Sequence, residues 1–259
     1  MDSLALPRPK VRPPSRWLPY FAVLRNDLGQ MVRGWLFRAC LFVAVVLALG
    51  HLIHRATMHH QMGVVQPAST LLAELLQYIV LVGATLVIVL SMGAIAGERE
   101  TLADCVLSRG VSRWQYFLAK WHARLLAVVG SLAVLTGLVI LAAMLILQSD
   151  ITPTGCLLAL GIVATLLAIV VSCGVAISGM VDSSLLGIAL VWIGLYAVGA
   201  ALVLVPMPMF DYSKMLRNLP ILLRGQVETT MVLKLIGVGA GTACVIALVG
   251  LVGFSRRDL

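Results

Sequence analysis

The chain has 259 residues, 61% of them hydrophobic and only 12% charged, with a mean hydropathy of +1.03. No soluble domain of this length can hide so much apolar surface, so the composition excludes a soluble enzyme and requires an integral membrane protein. The formal charge of +8 is no nucleic-acid footprint, because the basic residues sit at the ends of apolar runs; no nucleic-acid partner is expected.

Residues 1–15 hold Pro7, Pro9, Pro13 and Pro14 among Arg8, Lys10 and Arg12, with no small-residue cleavage site after them, and read as a disordered basic cytoplasmic tail rather than a signal peptide. From 16 the chain reads as one transmembrane domain running to 259. From Arg16 to Arg33 apolar residues fall at helical spacing with basic ones opposite, which predicts a helix in the headgroup plane. Six apolar runs come after it, at about 34–53, 71–96, 125–147, 155–181, 185–205 and 235–254, each long enough to cross a hydrocarbon layer about 30 Å thick. The expected fold is all-α, with six transmembrane helices after an N-terminal interfacial helix.

Arg38 is placed to snorkel at the inner end of the first span, and Glu74 lies near the outer end of the second. Asp182, Ser183 and Ser184 predict a tight turn between the fourth and fifth. The extracytoplasmic loop 206–234 carries Ser213 as a candidate cap for 214–218 and Pro220 as a helix breaker just beyond it. Six crossings put both termini on one side. Most Lys and Arg lie in the N-terminal segment, the 97–120 loop and the tail, which places these in the cytoplasm. Cys40, Cys105, Cys156, Cys173 and Cys244 are scattered, form no CxxC pair, and predict no disulfide framework.

Residues 97–120, GERETLADCVLSRGVSRWQYFLAK, are the long polar stretch between the first and last spans. Charge is costly within the bilayer, so this loop belongs in water. Thr101 can cap one short helix and Ser112 a second over 113–120, with Gly110 between them as a stop. Two amphipathic surface helices are expected, turning Leu102, Val106, Leu107, Phe117 and Leu118 inward.

Catalytic chemistry is not evident. There is no GxxxxGK[ST], so any nucleotide must be bound by a partner, and no HExxH or GxSG surrounds the candidate serines Ser91, Ser172 and Ser178. No expected span carries a central ionisable residue, which argues against an ion-coupled transporter. His51, His54, His59 and His60 lie close in sequence with Met58 and Met62, a ligand set that suits copper; these are weak candidates, and no metal site is assigned. Gly237 and Gly241 form a small-xxx-small pair in the sixth span, expected to seat another span of the same chain, or else a second subunit.

The charged loop resembles the cytoplasmic coupling loop of ABC-2 type permeases, the membrane subunits of bacterial ABC exporters. The matches are Gly97, Glu98, Arg99 and Glu100, then Thr101 and Leu102, Leu107 and Ser108, Val111, Ser112 and Arg113, and Lys120; the ending, Arg256, Arg257, Asp258 and Leu259, is also similar. Two details depart from the family pattern: Thr101 follows Glu100 directly, and Gly110 stands where the family usually has Pro. The resemblance implies a type V exporter-like architecture in the bacterial plasma membrane. It implies a second permease copy or paralogue, and a separate cytoplasmic ABC ATPase holding ATP and Mg, so this chain is not itself an enzyme. It also implies that the ATPase engages Glu98, Arg99, Glu100, Thr101, Leu102, Val106, Leu107, Arg109, Ser112 and Arg113. Two other readings stand beside it. One is an ABC-type membrane subunit supporting maturation of an extracytoplasmic copper protein, motivated by the His and Met cluster. The more remote one is a membrane-embedded enzyme.

Overall fold

The computed structural model describes residues 17–62, 67–95, 111–146, 150–204 and 216–256. They form eight helices and no strand among the described residues: α1 (Leu18–Arg33), α2 (Trp35–Met62), α3 (Ala68–Met92), α4 (Arg113–Ile146), α5 (Pro153–Met180), α6 (Ser184–Leu204), α7 (Leu219–Leu223) and α8 (Thr229–Ser255). Six of these, α2 to α6 and α8, are long and apolar enough to cross a membrane. Successive crossings alternate in direction. The start of α2, the ends of α3, α5 and α8, and the starts of α4 and α6 therefore share one face, the loop face. Pro67 and residues 150–152 and 216–228 lie toward the far face.

α5 is the axis of the bundle: 56% of its membrane window is buried, against 11% for α2 and for α6. It packs against α3, α4, α6, α7 and α8. Small residues let its neighbours approach closely. A Cβ added to Gly174 would lie 2.6 Å from the Ser91 Cβ of α3, and one added to Gly250 would lie 2.5 Å from the Ala176 Cβ of α5. α8 presents Gly239, Ala243, Ala247 and Gly250 to this contact. α2 and α6 stand at the rim with Phe42, Leu47, Leu185 and Tyr196 exposed, as suits lipid-facing or partner-facing helices.

Most boundaries reflect local sequence. Gly34 separates α1 from α2, and Thr152 caps α5 by accepting a bond from the Gly155 N–H at 3.1 Å. The turn at 181–183 is as expected, with the Leu186 N–H reaching Ser183 Oγ at 3.4 Å.

Several boundaries differ from expectation, among them the start of α8, which lies at Thr229 rather than 235 and takes in Lys234, read as loop. α2 runs on to Met62 through residues read as loop, because no Gly or Pro intervenes before Gly63. Pro220, expected as a breaker, lies in the first turn of α7, where its missing N–H costs nothing; the cap assigned to Ser213 lies outside the described residues. The third span begins at Arg113 rather than 125, so 113–120 is its continuation and not a separate surface helix. Nothing in the sequence breaks the helix there, and its polar residues find partners inside the bundle.

Candidate functional site

Residues 96–110 lie outside the described residues, and with them Glu98, Arg99, Glu100, Thr101, Leu102, Val106, Leu107 and Arg109. The two points from which this stretch leaves the bundle are described. At the first, Ala94 and Ile95 are buried beyond the end of α3. The Ser178 hydroxyl of α5 donates to the Met92 carbonyl at 2.8 Å and accepts the Ile95 N–H at 3.1 Å. One side chain thus serves two backbone groups that the end of α3 leaves open. At the second, the Ser112 N–H donates to Gln115 Oε1 at 3.2 Å, half of a capping box that starts α4. Arg113, one residue on, donates to the Ser255 carbonyl at the end of α8, 3.1 Å away. Phe117 is fully buried against Phe254, ring centroids 5.9 Å apart, and Tyr116 stacks on the same ring at 6.3 Å.

Below this point α4 carries two cations on one face, Lys120 and Arg124, one turn apart and both buried. Burial of charge requires a counter-ion. It comes from α1: Lys120 Nζ lies 2.7 Å from Asp27 Oδ1, and Arg124 Nη1 lies 3.5 Å from Asp27 Oδ2. The second contact is close enough for attraction but forms no hydrogen bond; Arg124 Nη1 donates instead to the Met31 sulfur at 3.0 Å. Both cations lie in the first turns of α4, ahead of the expected span at 125–147, and are not central to the crossing. Trp121 Nε1 donates to Ser172 Oγ of α5 at 3.0 Å, and the Tyr20 hydroxyl lies 3.2 Å from His122 Nδ1. α1, the first three turns of α4 and the ends of α5 and α8 are therefore one polar-latched base under the loop.

The far face has its own latch. Asp150 accepts the Ser69 N–H at 2.9 Å, the Ser69 hydroxyl at 2.7 Å and Arg224 Nε at 2.9 Å. Burial pushes its carboxyl up, but the Ser69 bonds and the Arg224 guanidinium outweigh it and hold the pKa below the usual value. Leu219, Leu222 and Leu223 of α7 are buried, and the Leu223 carbonyl accepts the Thr152 N–H at 2.8 Å. Arg224 thus has an acidic partner on this face.

The remaining candidates separate. His51 Nε2 lies 3.5 Å from Glu74 Oε2, its ring edge-on to Tyr78, while Arg55 Nη2 donates to the same carboxylate at 3.1 Å. His54 is exposed, and the His59, His60 and Met62 side chains lie outside the described set. Among the described residues no three His, Cys, Asp or Glu side chains group as metal ligands. Gly237 and Gly241 face open space, with nothing near an added Cβ. The same-chain contact expected of them is made one face over, through Gly239, Ala243 and Gly250.

Sequence reasoning missed Asp27 and Arg124. A signal existed for both: Asp27 is the only carboxylate between Asp2 and Glu74, and two cations at i, i+4 at the head of an apolar run need one.

No curated protein matches this sequence. The family model described as ABC-2 family transporter protein matches residues 21–259, which takes in every helix from near the start of α1 to α8. With six membrane-length helices around one axis and a charged segment between the second and third, the chain belongs to the ABC-2 family and is a membrane subunit of an ABC transporter.

Proposed function

We propose that this subunit moves its substrate across the bacterial plasma membrane by taking mechanical work from a separate cytoplasmic ABC ATPase, which docks on residues 97–113. The supporting observation is how the two ends of that stretch are held. Ser178 fixes one end to α5, and Arg113 fixes the other to α8. A handle works only if its load reaches the spans, and these bonds join it to α5 and α8 in addition to α3 and α4, which it connects. The Asp27–Lys120–Arg124 cluster then carries the load to α1. The charges of Glu98, Arg99, Glu100 and Arg109 would select the partner, and Leu102, Val106 and Leu107 would supply buried contact. The loop face is the cytoplasmic one in this reading, with both termini on it. ATP and Mg bind on the partner, and a second permease copy or paralogue completes the pathway.

The test is co-purification with an ATPase encoded in the same cells, and then turnover measurements. Glu98→Lys combined with Arg113→Glu is expected to abolish permease-stimulated ATP hydrolysis while the subunit still inserts. Full stimulation by that double variant, or cysteine labelling of the loop only from outside the cell, would overturn the proposal.

A further inference from the structure

A cavity of about 240 Å³ opens at the elbow between α1 and α2. Its polar wall is Asp27, Gln30 and Arg124, and its apolar wall includes Leu36, Phe37 and Leu90. Arg124 is 8% exposed, yet it is poorly satisfied. Of the five N–H donors a guanidinium carries, Nη1 meets a thioether sulfur, a weak acceptor, and Nε has no partner. Asp27 does not meet the need, because its short bond goes to Lys120 and it reaches Arg124 only at 3.5 Å. A buried cation with unused donors beside a cavity calls for an oxyanion.

The surroundings select the source of that oxyanion. Trp35, next to the elbow, is 79% exposed, and Trp17 and Phe21 are exposed along α1, the side chains of a headgroup-level belt. Arg25, Arg33 and Arg38 are exposed around the same elbow, a field that gathers anionic headgroups. The apolar wall continues down the lipid-facing side of α2.

We propose that this cavity holds the phosphodiester of a membrane phospholipid, anchored by Arg124, with acyl chains lying along Leu36, Phe37 and Leu90. The lipid clips the α1–α2 elbow to α4. This rests on the membrane fold alone and not on any ATPase partner.

The test is native mass spectrometry of the purified full chain in detergent, titrated with a phosphatidylglycerol, with diacylglycerol of the same chains, and with inorganic phosphate. Phosphatidylglycerol adducts are expected on the wild type, roughly tenfold weaker in Arg124→Gln, the scale expected for removing one charge-assisted hydrogen bond. Diacylglycerol is expected to form none of comparable strength, and inorganic phosphate is expected not to compete. Unchanged binding by folded Arg124→Gln overturns the proposal, as does equal binding of diacylglycerol, which would mean only a greasy surface. Effective competition by inorganic phosphate overturns it in favour of a soluble anion. If Arg124→Gln does not fold, Leu90→Trp decides, since it fills the cavity and leaves the ionic cluster intact: the same weakening supports the site, and unchanged binding refutes it.

Discussion

Replacing Asp27 by Asn tests the base of the bundle most directly. Asp27 and Lys120 are each 4% exposed at the side chain, so both charges are out of water. At an effective dielectric of about 20, contacts of 2.7 and 3.5 Å give roughly 6 and 5 kcal/mol of gross attraction. Desolvation of the three groups cancels most of this, so the cluster's net contribution is small. Removing the carboxylate is different, because Lys120 and Arg124 then stay buried with their desolvation uncompensated. The expected cost is about 3–5 kcal/mol, which for a chain of this size lowers the thermal midpoint by roughly 6–20 °C. Lys120→Met should cost less, since Arg124 remains to face Asp27. The assay is thermal unfolding of the detergent-solubilised subunit, monitored by intrinsic tryptophan fluorescence. A midpoint for Asp27→Asn within about 2 °C of the wild type, a small fraction of the expected shift, would refute the reasoning. So would a Lys120→Met variant less stable than Asp27→Asn.

The glycine contacts and the far-face latch give further expected outcomes. Gly250→Ala should be destabilising by roughly 1–3 kcal/mol, because its Cβ would lie 2.5 Å from Ala176 Cβ and 2.7 Å from Ala176 Cα. Gly241→Ala meets nothing within the chain and should leave the thermal midpoint of the isolated subunit unchanged or slightly raised. Gly155→Ala would put a Cβ 2.4 Å from the Leu222 carbonyl oxygen and 2.5 Å from that of Leu223. It should release α7 from the far face, read as faster proteolysis near Arg224 with the rest of the bundle protected. Asp150 has a depressed carboxyl pKa, so its stabilisation is complete above the ordinary value of about 3.9 and is lost as pH falls through the lower folded value. The thermal midpoint gap between the wild type and Asp150→Asn should therefore be widest near neutral pH and close below about pH 4. A gap that persists undiminished in acid would sink that assignment.

Sequence by itself determined the number of crossings, a helix ahead of the first of them, and the family. Each depends on how apolar residues are spaced along the chain, and the bilayer enforces that pattern locally. Tertiary structure decided where charge is tolerated and which face of each helix is covered. Residues 113–120 look like surface in sequence, because Lys120 is costly in lipid. They extend α4 instead, because Asp27, 93 positions earlier, supplies the counter-ion. Gly237 and Gly241 satisfy the small-residue pattern as well as Gly239 and Ala243 do, yet the latter pair faces α5. Periodicity says that two residues share a face of a helix; which neighbour that face meets depends on how distant helices come together.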